Sequence, residues 1–548
     1  MRKVVAVAVL LAGCLGKTTY RCDDSAQCVL AGTAGTCEPT HACSFPDDAC
    51  AAGRSYGPDS PADLAGTCVI DDVHVTVTPS TDAVLADTTT RLAATLTGSA
   101  DTAITWTVVE AGGGTIASDG RYRAPMTAGT YHVRATSHAN PERSGEAAIT
   151  VATSAAPVVI ASAPAARAIG YGFQPHLIHA TGAQQWWLFA DDSAAPTRIR
   201  TRFSSDFASW SDGDALTLPH AGAGDARNLV VAYRALGGHD VVHLSRATAD
   251  PDAIRYHARA IVSPGAIALG APVPFGNGAA NDPDGTACVI TAGGAVVDST
   301  GWQGTPPTPD IGNCGYGDVV SYESRTVDDG GASDITTWDE HVQWCVPNTV
   351  NARQLLADAE TVYELYVDGT DGANPVDILM NVRFPDGTWL PLPVPGTTVR
   401  PYDAFPGPPA RAMDLGDWMA ALVDGEVHVV RRLRATPDSY EHAIFSLTSR
   451  SWRPGAAVPA LAAAVGSGLF LAPYGDGMIL ASIDAGGDGV IRYSFWDGAA
   501  WSAWHPLIAN PGVRTSIGGA VPDDGTPPAL VWMQVSGSTY NIVGAALP

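Results

Sequence analysis

The chain alternates in short bursts. His74-Val75-Thr76-Val77-Thr78 sets apolar against polar residues with period two, and Arg91 to Leu96, Ile104 to Val108, Thr130 to Thr136 and Ala147 to Val151 follow suit. That period marks a strand with one buried face. Gly, Asp and Asn punctuate these runs, so five or more short strands are expected within residues 71–152, the pattern of a small sandwich. Trp106 lies between Ile104 and Val108 on one face and is the expected core anchor. After a short linker, 153–157, strand-like runs continue through residues 158–548: Arg167 to Tyr171, Gln185 to Phe189, Asn228 to Tyr233, Val241 to Ser245, Trp418 to Val423, Val427 to Arg431, Gly477 to Ser482, Ile491 to Phe495 and Ala529 to Gln534. No long 3.6-residue period appears. The nearest candidate, Asn351 to Val362, is too brief to carry a helical layer. The expected fold class is all-β.

A repeat runs through the long tract. An aromatic strand end, a turn and a tryptophan recur in Arg202 to Trp210, Arg383 to Trp389, Ile444 to Trp452 and Ser494 to Trp501. Trp452 follows Trp389 by 63 residues and Trp501 follows Trp452 by 49, while Trp210 precedes Trp389 by 179, close to three such units. A period of about fifty to sixty residues, each a hairpin plus further strands, predicts a β-propeller, here of six or seven blades. A string of further sandwiches is the competing architecture, but the tract lacks linkers. The Phe-x-Asp-Gly-x-x-Trp turns resemble those of sialidase-like propellers and propeller lectins. Ser204 to Trp210 resembles the sialidase Asp box, one residue short and with Ala208 in place of the usual Gly. In those families the turn is structural. Each of Trp210, Trp389, Trp452 and Trp501 is expected to pack between blades, with a sugar-stacking platform as the alternative.

In the Ig-sized segment, Gly114 to Pro125, with Asp119-Gly120-Arg121-Tyr122-Arg123-Ala124-Pro125 at its heart, and Gly129-Thr130-Tyr131 after it resemble the bacterial immunoglobulin-like (Big) family. The resemblance implies a turn that packs its Tyr, in a domain serving as spacer or adhesive module.

The start of the chain reads differently. Met1-Arg2-Lys3, an apolar run from Val4 to Leu11 and Leu11-Ala12-Gly13-Cys14 make a short basic region, an apolar region too short to span a bilayer, and small residues before a cysteine. The ending resembles the lipobox of bacterial lipoproteins. That implies a signal peptide over 1–13, acylation of Cys14, and a membrane partner reached through lipid, with an outer-membrane, outward-facing location. An ordinary secretory signal is the competing reading. Six further cysteines, Cys22, Cys28, Cys37, Cys43, Cys50 and Cys68, sit in a segment (14–70) with few large apolar residues. Three disulfides are the expected source of its stability; their pairing stays open, and the paired CxxC spacings of zinc sites are absent. Cys43 to Cys50, with Gly53 to Tyr56 and Gly66 to Val69, resembles a cysteine-rich module of myxobacterial surface proteins. With 31 basic and 56 acidic side chains, the net charge of −25 argues against nucleic acid and anionic lipid surfaces as partners.

Catalytic signatures are sparse. No Gly-x-Ser-x-Gly, His-Glu-x-x-His or phosphate-binding loop occurs. His239 and His243 on a strand are about 13 Å apart, too far to share a metal, and His176 and His179 face opposite sides. Satisfied histidines are expected. Arg200, Arg234 and Arg325 with Tyr322-Glu323 are the residues from which a sialidase-like site would have to be built. Asp368 to Asn374 and Asp484 to Gly489 are oxygen-rich turns that would suit calcium but lack EF-hand spacing; no cofactor is otherwise called for. Cys288, Cys314 and Cys345 form an odd set, so one pair and one free thiol are expected. Together these features lead to a cell-surface lipoprotein whose propeller is a non-catalytic binding or adhesion module for extracellular glycan or protein. The alternatives are a glycoside hydrolase and a scaffold without its own ligand.

Overall fold

The computed structural model describes residues 19–548 apart from 51–52, 70–72, 100, 164–167, 171, 193–196, 220–228, 248–254, 276–285, 304–316, 325–326, 332–334, 336, 346–349, 369–376, 391–401, 407–415, 434–436, 462–467, 485–489, 510–512 and 538. Nearly every described element is a strand; one three-residue 3-10 turn, Ser25–Gln27, is the exception. Asn351 to Val362 lies in the inner hairpin Val350–Asp358 with Thr361–Asp368, whose second strand is rich in the Val and Tyr that suit a pleated surface. Residues 168–170, in a segment whose apolar run suggested a strand, form a bend.

The chain divides into two compact units, residues 1–80, 93–107 and 134–147, and residues 81–92, 108–133 and 148–548. The first holds the cysteine module. Its disulfides are Cys22–Cys37, Cys28–Cys43 and Cys50–Cys68. Phe45 supplies what apolar centre there is, and two glycines make room for it. A Cβ on Gly35 would lie 2.7 Å from the Phe45 ring and one on Gly57 2.6 Å from it. Arg54 ties the sheet from below, donating to the Ser44 carbonyl at 2.6 Å and its hydroxyl at 2.8 Å. The hairpin-like pair His74–Thr78 with Ala93–Thr97 also belongs to this unit, as does Trp106. That indole is only half-buried, so it is not the core anchor the alternation suggested.

The second unit is dominated by seven antiparallel sheets of four or five strands, blades 1 to 7 in chain order. Their innermost strands are Leu177–Ala180, Leu229–Leu236, Thr286–Ile290, Val350–Asp358, Trp418–Val423, Leu469–Tyr474 and Val513–Ala520. Each touches the next, and the seventh touches the first, so the ring closes. The last blade takes its fourth strand from the beginning of the tract: Val158–Ala163 pairs antiparallel with Thr539–Ala546. This is a seven-bladed propeller. Trp210, Trp389, Trp452 and Trp501 fall at the turn into the outermost strand or bridge of blades 1, 4, 5 and 6, which accounts for the 179-residue gap as three blades.

Blade 6 also carries part of the immunoglobulin-like segment. In this unit Thr81–Leu85 pairs in parallel with the end of Ser144–Ala152, and Thr89–Arg91, Arg121–Arg123 and Thr115–Ile116 form a second small sheet. The fully buried aromatic there is Tyr122, whose hydroxyl donates to the Gly113 carbonyl at 2.5 Å. Leu85 and Ala86 are sealed against blade 6. The Leu85 amide donates to the Tyr474 hydroxyl at 2.9 Å and the Tyr493 hydroxyl donates to the Ala86 carbonyl at 2.7 Å. Arg121 donates to the Asp476 carboxylate at 2.6 Å and to the Asp497 carbonyl at 2.6 Å, and Arg123 bridges Asp87 and Asp497. Gly475, at φ +56°, lets the turn approach: a Cβ there would lie 2.2 Å from the Thr89 carbonyl oxygen. Within 153–157, Ala155 is buried and its amide donates to the Leu507 carbonyl.

This clamp sets an expectation for stability. Tyr474→Phe and Tyr493→Phe should each lower the unfolding free energy of the full chain by about 0.5–1.5 kcal/mol. Gly475→Ala, which adds left-handed strain to a steric clash, should cost about 1–3 kcal/mol. Urea titration followed by tryptophan fluorescence checks both; unchanged midpoints in all three variants would mean that the clamp contributes nothing.

Candidate functional site

The Phe-turn-Trp units show how the repeat is built. In blade 1 the Asp206 carboxylate accepts from the Ser209 amide at 2.8 Å, the Ser204 hydroxyl at 3.0 Å and the Ala208 amide at 2.9 Å, which holds its pKa below the usual carboxylate range. Phe207 takes a left-handed conformation, and the Trp210 indole donates to its carbonyl at 2.9 Å. Asp497 in blade 6 does the same for the Ala499 and Ala500 amides, and Asp386 in blade 4 for Thr388. A left-handed residue, Phe207, Gly387, Arg450 or Gly498, sits two or three places before each tryptophan. Trp389 and Trp501 are buried, 3% and 8% exposed. Trp210 and Trp452 are half-buried, packed against Phe207 and Phe445. The latter two present more of their surface outward. Trp389→Ala should therefore cost about 3–5 kcal/mol and Trp210→Ala distinctly less, by denaturant titration; equal losses would contradict this ranking of burial.

Within and between blades the chain buries ions in pairs. Asp191 of blade 1 accepts from Arg246 of blade 2. Arg255 of blade 2 meets Asp298 of blade 3 at 2.5 Å and donates to the Ser299 carbonyl. Arg353 of blade 4 contacts Glu364 at 3.3 Å and the Ser299 hydroxyl of blade 3 at 2.7 Å. Arg383 reaches Glu323 at 2.9 Å, and Arg432 is paired with Asp417 at 2.5 Å. Burial pushes Asp298 up to about 6 against the opposing pull of Arg255. Removing one partner of such a pair leaves an uncompensated buried charge.

Two buried histidine pairs repeat this theme. In blade 2 His243 Nε2 lies 2.7 Å from Asp328 and its Nδ1 2.5 Å from His257 Nε2. A carboxylate only accepts, so His243 donates to Asp328 from Nε2. In blade 5 the Trp501 indole donates to His442 Nδ1 at 3.3 Å, and His442 Nε2 lies 3.0 Å from His428 Nδ1. Burial, then the partner ring, lowers His428 to about 3, and burial, then Arg453, lowers His442 to about 4; His257 is likewise driven well down by burial. Asp328 is held well below its ordinary value, against burial, by bonds from His243, Arg259 and the Gly330 amide. His257, His428 and His442 are neutral cement. Their folded pKa values lie below the unfolded ~6.5, so the unfolded chain binds more protons on acidification and stability falls with pH from about 6.5 downward. Thermal melts at pH 7.5 and 5.0 should show this, and His428→Phe with His442→Leu should flatten that part of the profile.

Of the residues singled out for hydrolysis, the described ones, Arg200, Arg234 and Glu323, stand on three different blades. Arg200 donates to the Ser162 carbonyl, Glu323 holds Arg383, and Arg325 and the Tyr322 side chain lie outside the described residues. Cys14 lies outside them too, as do Cys314 and the Cys345 side chain, while Cys288 is a buried free thiol. Most of the two oxygen-rich turns, 369–374 and 485–489, is likewise outside; Asp484 is occupied by Arg492 at 2.6 Å.

What the ring itself encloses was not foreseen. A cavity of about 330 Å³ lies within it, walled by all seven innermost strands, with His179, Val231, Cys288, Leu355, Ala421, Leu471 and Gly519 among its lining. The wall is mostly apolar; Arg234, His179 and Asp523 stand at the rim on blades 2, 1 and 7, and Tyr233 and Gln354 also line the cavity. Gln354 works as a surrogate strand there, donating to the Ala420 carbonyl and accepting from its amide, both at 2.9 Å. His179 is lowered by burial and lies 3.4 Å from Asp524. Such cavities escape sequence reading because each strand gives only two to five residues, spread over the whole tract.

The fold thus defines a propeller protein with an apolar axial cavity and a polar rim. No family model matches the chain, and no curated protein matches it. Among solved structures it is similar to AofleA from Arthrobotrys oligospora, at 11% identity and a TM-score of 0.36, over 63% of this chain and 89% of that one. It is similar also to a protein of unknown function from Dyadobacter fermentans, at 12% identity and a TM-score of 0.36, over 71% of this chain and 98% of that one. A third is Zg3597, a family 117 glycoside hydrolase from Zobellia galactanivorans, at 14% identity and a TM-score of 0.28, over 48% and 83%.

Proposed function

We propose that the chain is a cell-surface lipoprotein whose propeller is a non-catalytic recognition module for extracellular glycan or protein. The observation that carries this reading is the employment of the buried acids. Among the described residues, Asp191, Asp298, Asp328, Glu364, Asp417, Asp438 and Asp484 each contact arginine or histidine, and Asp240 accepts from the Gly182 and Ala183 amides. General acid–base work needs a carboxyl with a shifted pKa that faces the substrate. Asp298, the buried acid shifted upward, is sealed and faces Arg255. The disulfide-stapled module suits an oxidising, extracytoplasmic setting, and the sequence Leu11-Ala12-Gly13-Cys14 supports the lipid anchor.

Two measurements test this. Cells labelled with a fatty-acid probe should mark the unmodified protein and not Cys14→Ala; equal labelling removes the anchor. The purified Cys14→Ser chain should bind members of a glycan or extracellular-protein array and release no sugar from aryl glycosides. Turnover, abolished by substituting one acid, would replace recognition with hydrolysis.

A further inference from the structure

We infer that the axial cavity is a binding site for a linear apolar molecule ending in a carboxylate, with Arg234 as the anchor of the acid group. The inference goes beyond macromolecular recognition, and neither depends on the other. It starts from how arginines are used in this protein. Among the described residues, each buried or half-buried arginine except Arg234 has a carboxylate or carbonyl partner: Arg246 has Asp191, Arg255 has Asp298, Arg353 has Glu364, Arg432 has Asp417, and even half-exposed Arg200 has the Ser162 carbonyl. Arg234 is half-buried on blade 2, lines the cavity, and has no such partner there. Leaving a partly desolvated guanidinium unpaired costs free energy, and a planar fork of donors is suited to a carboxylate in two-point contact.

The wall beneath it supplies the apolar half. Blade 2 contributes Val230 to Arg234 in sequence and blade 5 Met419 to Leu422. Four consecutive strand residues span about 10 Å, so the cavity is a shaft rather than a dish. Its volume falls at the lower end of small-ligand sites, where an apolar lining with a few placed polar groups is the rule. His179 sits against Asp524, and Asp523 stands on blade 7, across blade 1 from Arg234. With a net charge of −25 the molecule as a whole repels anions, so selective retention of one requires a local cation, and the shaft has it.

Isothermal titration of the full chain with decanoate and with decan-1-ol tests the assignment. The unmodified protein should bind the acid at least ten-fold more tightly than the alcohol. Arg234→Gln should bring that ratio close to one while leaving alcohol binding in place. Ala421→Phe, which fills the shaft from blade 5, should abolish binding of both; should it fail to fold, Arg234→Gln decides alone. Absence of saturable decanoate binding, a preference that survives Arg234→Gln, or binding that survives Ala421→Phe would overturn the inference. None of these outcomes bears on glycan or protein capture, which the array measures separately.

Discussion

Everything in the second unit depends on one strand pairing across almost the whole tract, Val158–Ala163 against Thr539–Ala546. Until it forms, the last blade has an open edge and the ring is a curved ribbon of seven sheets. An open edge is a row of unpaired amides and carbonyls, and here it would be joined by the apolar flanks of two blades. Once the strand is in place, each blade is packed on both sides and the inner strands surround the cavity. The cost is contact order: the pairing joins residues nearly four hundred apart, which places it among the slow steps of folding.

The blades are held apart and in register by a mixture of apolar packing and buried ions. Ion pairs in such places bring little net stability over apolar replacements, but they tolerate few alternative partners. Asp191–Arg246, Arg255–Asp298 and Arg353–Glu364 with Ser299 each involve neighbouring blades or link to one. Seven similar sheets could pack on one another in the wrong order. Distinct ionic contacts at successive interfaces distinguish them, and the two buried histidine pairs do the same in blades 2 and 5.

The all-β class and the repeat were legible because both live in local pattern. Alternation marks a strand within five residues, and the Asp turn that precedes Trp389 or Trp501 is closed by its own carboxylate. The disulfide-rich module was legible from its cysteine content, though the pairing Cys22–Cys37, Cys28–Cys43 needed three-dimensional placement. Trp106 misled because a large ring on an alternating strand can serve the margin of a sheet as well as its centre, whereas Tyr122 gains its place from one hydroxyl bond to Gly113. The shaft was out of reach, and Arg234 was legible only as one of the arginines of a sialidase-like site. Arg234 resembles the other arginines until their partners are known, and those partners lie tens of residues away.

Gly475, finally, has a mechanical meaning. It lets Thr89 and Arg121 seat on blade 6 beside Tyr474 and Asp476. A pull applied through the segment before Val158 therefore meets this clamp, and the Ala155–Leu507 bond, before it reaches the strand that closes the ring. Several short hydrogen bonds and an arginine fork share the load in parallel, while the closing strand, behind them, is shielded from tension. The turn thus acts as a strain relief, of the kind fitted where a cable enters a housing, and keeps force on the chain from opening the propeller.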